Sequence, residues 1–122
     1  MVKIVVMDWN SFSKMVKSDV DDAIKTGKFK KSEDVIYAES IDAARRLMTN
    51  ERLKMLSEVK KSRPNSLYSL AKLLKKDIKT VSTDAGILSK AGLLSLENYR
   101  EGKKTKVRPR VSMSKISFEL AI

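Results

Sequence analysis

The stretch that decides the fold is residues 66–92, SLYSLAKLLKKDIKTVSTDAGILSKAG. Its apolar residues recur every three or four positions, first from Leu67 to Leu74 and then from Ile78 to Leu88, which is the spacing of two amphipathic helices. A short polar turn, Lys75-Lys76-Asp77, separates the two patterns. Residues suited to helix ends stand at the boundaries, namely Ser66 and Asp77 as N-caps and Gly92 as the C-terminal stop. Two short helices joined by a three-residue turn match the helix-turn-helix unit.

The pattern changes after Gly92, where apolar and polar residues begin to alternate as they do in strands. Leu94 and Leu96 belong to the first predicted strand, and Val107–Met113 forms the returning one. We expect residues 100–106 to form a loop around Gly102. A helix-turn-helix followed directly by a hairpin with a basic tip is the arrangement of a winged helix.

The remaining elements are predicted from shorter patterns. Before the central stretch we expect a strand at 2–8, a helix capped by Asn10 or Ser11 and ended by Gly27, and a charged connector at 28–34. A strand at 35–38 and a helix capped by Ser40 that runs through Met48 should follow. Thr49 or Asn50 then restarts or continues the helix, which carries Leu53, Leu56 and Val59 inward and stops at Arg63-Pro64. After the central stretch we expect a last strand at 116–122, with which the two N-terminal strands could pair, as they could with each other. The predicted fold class is α+β: a winged helix-turn-helix over residues 39–122 with a small N-terminal β-α-β extension over residues 1–38.

Composition excludes several classes of chemistry. The chain has 122 residues and contains neither cysteine nor histidine, which removes disulfides, Cys/His zinc sites and Ser-His or Cys-His catalytic pairs. No apolar run is long enough for a transmembrane helix, and the opening segment does not resemble a signal peptide. We therefore expect a cytoplasmic protein without catalytic activity, cofactor or metal ion.

The charge is unevenly distributed along the chain. Lys and Arg number 26 and Asp and Glu 15, a net charge of +11. Residues 1–40 are neutral, with seven charges of each sign, whereas residues 41–122 carry the whole excess. Four of the seven aromatic residues lie in the neutral part. This distribution indicates a basic block that faces a polyanion and a neutral block that covers its apolar surface with a second copy of the chain or with another protein.

The second helix of the central stretch, residues 78–91, is the predicted recognition helix. If its apolar residues face inward, the opposite face carries Lys, Thr and Ser side chains, which can contact base edges and phosphates in a major groove, and Gly86, which lets the duplex approach closely. The alternative is an ordinary solvated face. The residues expected to contact DNA on and around this helix are Ser66, Lys76, Lys79, Thr80, Ser82, Thr83, Gly86 and Lys90.

The predicted wing, residues 99–110, is strongly basic. It carries six cations against Glu101 alone, and such a tip suits phosphate contacts or insertion into a minor groove. The alternative is a solubilising hairpin. The expected DNA contacts are Arg100, Lys103, Lys104, Lys106, Arg108 and Arg110.

The acidic residues have simpler interpretations. Asp84 borders the inward face of the predicted recognition helix, where an acid would repel phosphate, so we expect it to pair with a nearby Lys or Arg. The cluster of Asp19, Asp21, Asp22, Glu33 and Asp34 could hold Mg²⁺ for a nuclease. A solvated helix face explains these carboxylates better, because no other catalytic motif surrounds them.

The central stretch also resembles a known family. LYSLAKLLKKDIKTVSTDAGILSKAGLL, the turn REGKK and the run RPRVSMSKISFEL are similar to the MarR/ArsR-like winged-helix regulators of prokaryotes, in particular to a group of small, mostly archaeal predicted DNA-binding proteins. In that group a segment like ARRLMTNERLKML, here Ala44–Leu56, precedes the helix-turn-helix. One departure is Lys75, where many relatives have Gly to turn the chain. Some members are thought to act as antitoxins.

These observations predict a sequence-specific, dimeric DNA-binding transcription regulator. The expected partners are double-stranded DNA and a second copy of the chain, which would place two recognition helices on paired half-sites. One alternative is an antitoxin that binds a toxin and regulates its own operon. Another is a nonspecific architectural binder of nucleic acid.

Overall fold

The computed structural model describes residues 2–27 and 35–122, and the fold is mixed α+β. The elements in chain order are β1 (Val2–Val6), α1 (Trp9–Thr26), β2 (Val35–Ala38), α2 (Ile41–Leu47), α3 (Asn50–Ser62), α4 (Leu67–Leu74), α5 (Ile78–Lys90), β3 (Ser95–Glu101), β4 (Lys104–Arg110) and β5 (Ile116–Leu120). The predicted connector at 28–34 lies outside the described residues.

The chain divides into two compact units. Unit 1 contains Met1–Arg46 and Ser114–Ile122, and unit 2 contains Leu47–Met113. The sequence pattern placed a boundary after Ala38 and assigned everything beyond it to one domain. The structure instead groups the last strand with the N-terminal elements, because β5 forms its ladder with β1.

Unit 1 is built on a parallel sheet with the strand order β2-β1-β5. The central strand β1 pairs with both neighbours, with Ile4 opposite Ile36 on one side and Phe118 on the other. Both pairings that the sequence left open therefore occur together. Val2 and Ile4 are buried, as a central parallel strand requires.

Helix α1 lies on one face of this sheet. The Phe12 ring is 5.1 Å from the Tyr37 ring on β2, and the Tyr37 hydroxyl donates to the Met15 sulfur at 3.7 Å. The N-cap is Asp8, whose carboxylate accepts from the Ser11 amide at 2.7 Å, so the prediction of Asn10 or Ser11 was wrong. Asp8 already stands in extended conformation directly after β1, which lets the helix begin two residues earlier.

Unit 2 consists of α3, α4 and α5 followed by the antiparallel hairpin β3-β4. The predicted N-caps Ser66 and Asp77 are confirmed, and Thr49, one of the two residues at which α3 was expected to begin, is its N-cap. Each of the three side chains accepts the backbone N–H three residues ahead. The core is apolar, and its buried side chains are Met55, Leu56, Val59, Leu70, Ala71, Val81, Ala85, Leu88, Leu93 and Leu94. Leu53 was predicted to face inward but is half exposed, because the inward face of α3 is formed by Met55, Leu56 and Val59 and Leu53 lies to the side of it.

Helices α4 and α5 end in the same way. After α4, the Lys75 amide donates to the Lys72 carbonyl and the Lys76 amide to the Ala71 carbonyl, at 3.3 and 3.0 Å. This is the Schellman motif, and it holds Lys75 at φ 56°. Gly92 takes the equivalent place after α5, with φ 83°.

Candidate nucleic-acid interface

The positive charge of the chain is concentrated in unit 2. Residues 47–113 contain 16 basic and six acidic residues, a net charge of +10 out of the chain's +11. Unit 1 is close to neutral. The neutral and basic parts of the chain therefore coincide with the two compact units of the structure.

Helix α5 is held in unit 2 by its inner face. Val81, Ala85 and Leu88 are fully buried there. The Asp77 carboxylate caps the first turn by accepting from the Thr80 amide at 2.7 Å and from the Thr80 hydroxyl at 3.1 Å. These bonds stabilise the ionised carboxylate and lower the pKa of Asp77 below its ordinary value.

The outer surface of α5, which we call the α5 face, carries six of the residues selected from the sequence: Lys79, Thr80, Ser82, Thr83, Gly86 and Lys90. All are exposed except Gly86, which is partly covered. The Thr83 hydroxyl donates to the Lys79 carbonyl at 3.0 Å. It therefore keeps its oxygen lone pairs available to an outside donor.

Gly86 is in the middle of α5, where glycine is unfavourable. A Cβ at this position would meet no atom within 4 Å, so packing within the chain does not require glycine. Glycine inside a helix costs about 1 kcal/mol relative to alanine. The missing side chain thus keeps open a space on the α5 face that nothing in the described fold fills.

The single acid within α5 is neutralised inside unit 2. Asp84 and Arg52 form an ion pair, with Arg52 Nε 3.2 Å from the Asp84 carboxylate, and their side chains are only 17% and 14% exposed. Arg52 also donates to the Leu47 carbonyl at 2.9 Å. The predicted pairing of Asp84 with a nearby cation is confirmed, and this carboxylate is kept off the α5 face.

The β3-β4 hairpin is longer and its turn tighter than the sequence pattern predicted. The predicted loop at 100–106 was wrong: both strands continue, and only Gly102 and Lys103 lie between them. Gly102 has φ 64°, as the first residue of a type II′ turn requires. The alternating apolar pattern does not continue past Leu96, so it gave no sign that the ladder extends through the charged residues.

The register of the hairpin pairs two of its cations with acids. Lys106 lies 2.8 Å from Glu101, and this bond raises the pKa of Lys106 and lowers that of Glu101. Arg108 lies 4.0 Å from Glu97, and its guanidinium stacks at 4.3 Å from the centre of the Tyr99 ring. These two cations stiffen the hairpin rather than standing free in solvent.

The base of the hairpin is fixed to the loop before α4. The Tyr99 hydroxyl donates to the Asn65 carbonyl at 2.7 Å, and an Arg110 guanidinium nitrogen donates to the Pro64 carbonyl at 3.2 Å. Arg110 was selected as a DNA contact, but the structure gives it this anchoring role. Tyr99 was not selected, although an aromatic residue opposite basic residues in a hairpin is a recognisable signal for such stacking.

Three of the six cations of the predicted wing remain exposed at the end of the hairpin. We call Arg100, Lys103 and Lys104 the hairpin tip. Their side chains make no hydrogen bond and no ion pair with any described residue, although their backbones belong to the hairpin. The sequence contains six cations and one acid between residues 99 and 110. The structure shows that three of these six cations have side chains without a partner among the described residues.

Two other selected residues are engaged around α4. Ser66 is 94% buried, and its hydroxyl caps α4 by accepting from the Ser69 amide, so it is not placed to contact a ligand. Lys76 forms an ion pair with Glu51, and this contact lowers the pKa of Glu51. Tyr68 and Lys72, which lie one turn apart on α4, are also exposed, and neither was selected as a DNA contact.

The acidic residues of α1 do not form a metal site in the part of the chain described. Asp19, Asp21 and Asp22 are exposed, whereas Glu33 and Asp34 fall outside the described residues. Over residues 2–27 and 35–122 no group of three or more carboxylates could hold a metal ion together. In the same ranges no helix has the length and apolar character needed to cross a membrane.

Comparison with known proteins identifies the family of the chain. The family model HVO_A0114 matches residues 47–118, more than half of the chain. The match begins at the first residue of unit 2 and includes the α5 face and the hairpin tip. No curated protein and no solved structure matches the chain. The chain belongs to the HVO_A0114 family.

Proposed function

We propose that the chain is a DNA-binding transcription regulator of the winged helix-turn-helix class. In this proposal α4 and α5 form the helix-turn-helix, the α5 face enters the major groove, and the β3-β4 hairpin is the wing. The order of three helices followed by an antiparallel hairpin in unit 2 supports this reading.

The observation that carries the proposal is that five of the six acidic residues of unit 2 are engaged by the unit's own residues. Asp77 caps a helix, and Glu51, Asp84, Glu97 and Glu101 each pair with a cation. The exposed cations of the α5 face and hairpin tip have no such partners among the described residues. A polyanion such as duplex DNA meets uncompensated charge there.

The chemistry of the α5 face suits a major groove. Lys79 and Lys90 can donate to phosphates or to guanine, and the hydroxyls of Ser82 and Thr83 can reach base edges. At Gly86 the DNA backbone can approach the helix without a side chain between them. The hairpin tip provides three further donors for phosphates or for a minor groove.

A second candidate is a nonspecific architectural binder. The sequence of α5 contains no Arg, Asn or Gln, the side chains that give the strongest bidentate base contacts. Such a binder would use the same charges but would prefer no sequence.

The decisive experiment is a salt titration of duplex binding combined with footprinting on fragments of genomic DNA. The logarithm of the binding constant should fall linearly with the logarithm of salt concentration, by about 0.9 per phosphate contacted, and we expect roughly 4–8 contacts per dimer. A regulator should protect discrete sites. Lys79→Ala or Thr83→Ala should change which sequence is preferred, by about 1–3 kcal/mol of binding free energy at the contacted base pair.

The alternatives give different results. Losses of the same size on every sequence from Lys79→Ala and Thr83→Ala, without discrete footprints, would indicate the architectural binder. No binding to any duplex at low salt would overturn DNA binding altogether. Tight capture of a toxin-like protein partner with weak DNA binding would favour the antitoxin alternative.

A further inference from the structure

The strand β5 forms an open edge of the unit 1 sheet. It pairs with β1 on one side, and no other strand of the described residues pairs with it on the other side. Phe118 and Leu120 on this strand are 54% and 64% exposed. An open edge with exposed apolar side chains is a surface that readily accepts another strand.

The hydrogen-bonding direction of β5 follows from its contacts with β1. The Lys115 carbonyl accepts from the Val2 amide, and the Ala121 amide donates to the Val6 carbonyl. Because successive residues of a strand direct their N–H and C=O groups to opposite sides, the odd-numbered residues of β5 bond to β1. The amides and carbonyls of Ile116, Phe118 and Leu120 therefore point to the open edge.

The usual protections of an edge strand are weak in β5. Its sequence, ISFEL, contains no proline and no lysine. The charge of Glu119 is paired with Lys3 at 3.5 Å, so it repels an approaching strand less than a free carboxylate would. The edge therefore keeps both its hydrogen-bonding groups and its apolar side chains accessible.

The strand is complementary to itself in antiparallel orientation. With a two-fold axis through Phe118, Ile116 faces Leu120 of the second copy and Phe118 faces its own equivalent. These are the residues whose main-chain groups point outward, so each opposite pair exchanges two hydrogen bonds. Ser117 then faces Glu119, so no two like charges are opposed, and the apolar side chains form one continuous row.

We propose that a second copy of this chain pairs with β5 through antiparallel β5-β5 contacts, which joins the two unit 1 sheets into one. A C2 interface must be self-complementary, and this strand meets that requirement in sequence, hydrogen-bond direction and charge. The proposal rests on the proposed function in one respect, namely that the role of the dimer would be to bind DNA. The pairing itself can be tested without DNA.

The test uses charges placed on the proposed axis. Phe118→Lys and Phe118→Glu each bring two like charges together in a homodimer, and each should reduce the dimer association constant by more than about tenfold. Mixing the two variants places opposite charges across the axis and should restore the dimer. Sedimentation equilibrium of the full-length proteins at micromolar concentration measures all three samples, and circular dichroism checks that each is folded.

Ile24→Lys is the matched control, because Ile24 is an exposed apolar residue of α1 in the same unit. It should leave the wild-type dimer intact. A monomeric wild-type protein would overturn the proposal, and so would a dimer that persists in Phe118→Lys. Failure of the mixture to restore the dimer would also overturn it, and dissociation by Ile24→Lys alone would assign the interface to α1. None of these outcomes depends on DNA binding, so failure of the interface and failure of the proposed function remain distinguishable.

Discussion

Lys75 occupies a backbone conformation that ordinary side chains avoid. It has φ 56° and ψ 45° at the end of α4, whereas Gly92 fills the equivalent position after α5. A side chain in this left-handed region costs on the order of 1 kcal/mol, because its Cβ crowds the adjacent carbonyl. The Schellman hydrogen bonds of Lys75 and Lys76 hold the conformation in spite of that cost.

We therefore expect Lys75→Gly to raise the free energy of unfolding by about 1 kcal/mol. Urea denaturation measures the change. The control is Lys72→Gly, three residues earlier in the exposed part of α4, which should lower stability by about the same amount because glycine is unfavourable inside a helix. A loss of stability in both variants would contradict the strain assigned to Lys75.

Gly86 offers a second test at the level of a single residue. Gly86→Ala should raise the free energy of unfolding by up to about 1 kcal/mol, since the new methyl group meets no atom within 4 Å. The same methyl group should weaken binding to a specific duplex, because it fills the space kept open on the α5 face. Ser57→Ala, on the exposed side of α3, is the control and should leave DNA affinity unchanged.

A more stable variant with weaker binding would identify Gly86 as a residue kept for contact. Unchanged affinity in Gly86→Ala, measured by fluorescence anisotropy, would show that DNA does not approach the helix there.

At the scale of elements, the features that sequence predicted well are the local ones. Ser66 and Asp77 were recognised as caps because a cap needs only a short polar side chain directly before an apolar period. The inner side of α5 followed from the same period, which also fixed the composition of the α5 face. Asp8 was missed because Asn10 and Ser11 carry equally good capping side chains nearby.

The features that sequence could not predict depend on pairing between distant residues. Nothing local shows that β5 joins β1 rather than the hairpin. The same holds for the β3-β4 hairpin, since a one-residue shift in its register would turn Tyr99 and Arg108 to the other face. The free hairpin tip could therefore be separated from the engaged Lys106, Arg108 and Arg110 only once the register was known.

That separation predicts different roles for cations in the same hairpin. Replacing Arg100, Lys103 and Lys104 together by Ala should weaken binding to all duplexes about equally and make the salt dependence shallower, with no change in stability, since phosphate contacts carry no sequence information. Arg108→Ala should instead lower stability, because it removes the stacking on Tyr99.

The control for net charge replaces three exposed cations outside the hairpin, Lys54, Lys61 and Lys115, by Ala. Binding measured by anisotropy across a salt series should fall much less in this variant. Equal losses from the two sets would mean that overall charge, and not the hairpin tip, governs affinity.

At the scale of the whole molecule, the net positive charge lies in unit 2, whereas unit 1 has an exposed apolar sheet edge. Unit 2 holds +10 of the net charge, and the family match lies almost wholly within it. Unit 1 is nearly neutral and exposes Phe118 and Leu120 at a sheet edge. This distribution favours the hypothesis that unit 2 binds a polyanion and unit 1 binds a second copy of the chain.

Such a molecule should bind DNA with two-fold symmetry. We expect the full-length protein to protect a site of two inverted half-sites whose centres are about 10 bp apart, because dimeric helix-turn-helix regulators bind half-sites one helical turn of DNA apart. Phe118→Lys should lower affinity for this site by well over tenfold through lost bivalency, on the order expected for linked sites, while the base preference within a half-site stays the same. Hydroxyl-radical footprinting and anisotropy measure the two effects.

Deleting residues 1–38 is a poorer test, because it removes β1, the strand that supports β5. The Phe118→Lys variant keeps both units intact and alters only the proposed contact, and the charge-complementary mixture with Phe118→Glu provides the rescue. A footprint without two-fold symmetry would contradict the dimeric regulator. If Phe118→Lys and the wild type bind the paired site with equal affinity, contacts at β5 do not contribute to binding of the paired half-sites. Restored affinity in the mixture would instead tie the sheet edge of unit 1 directly to DNA binding by unit 2.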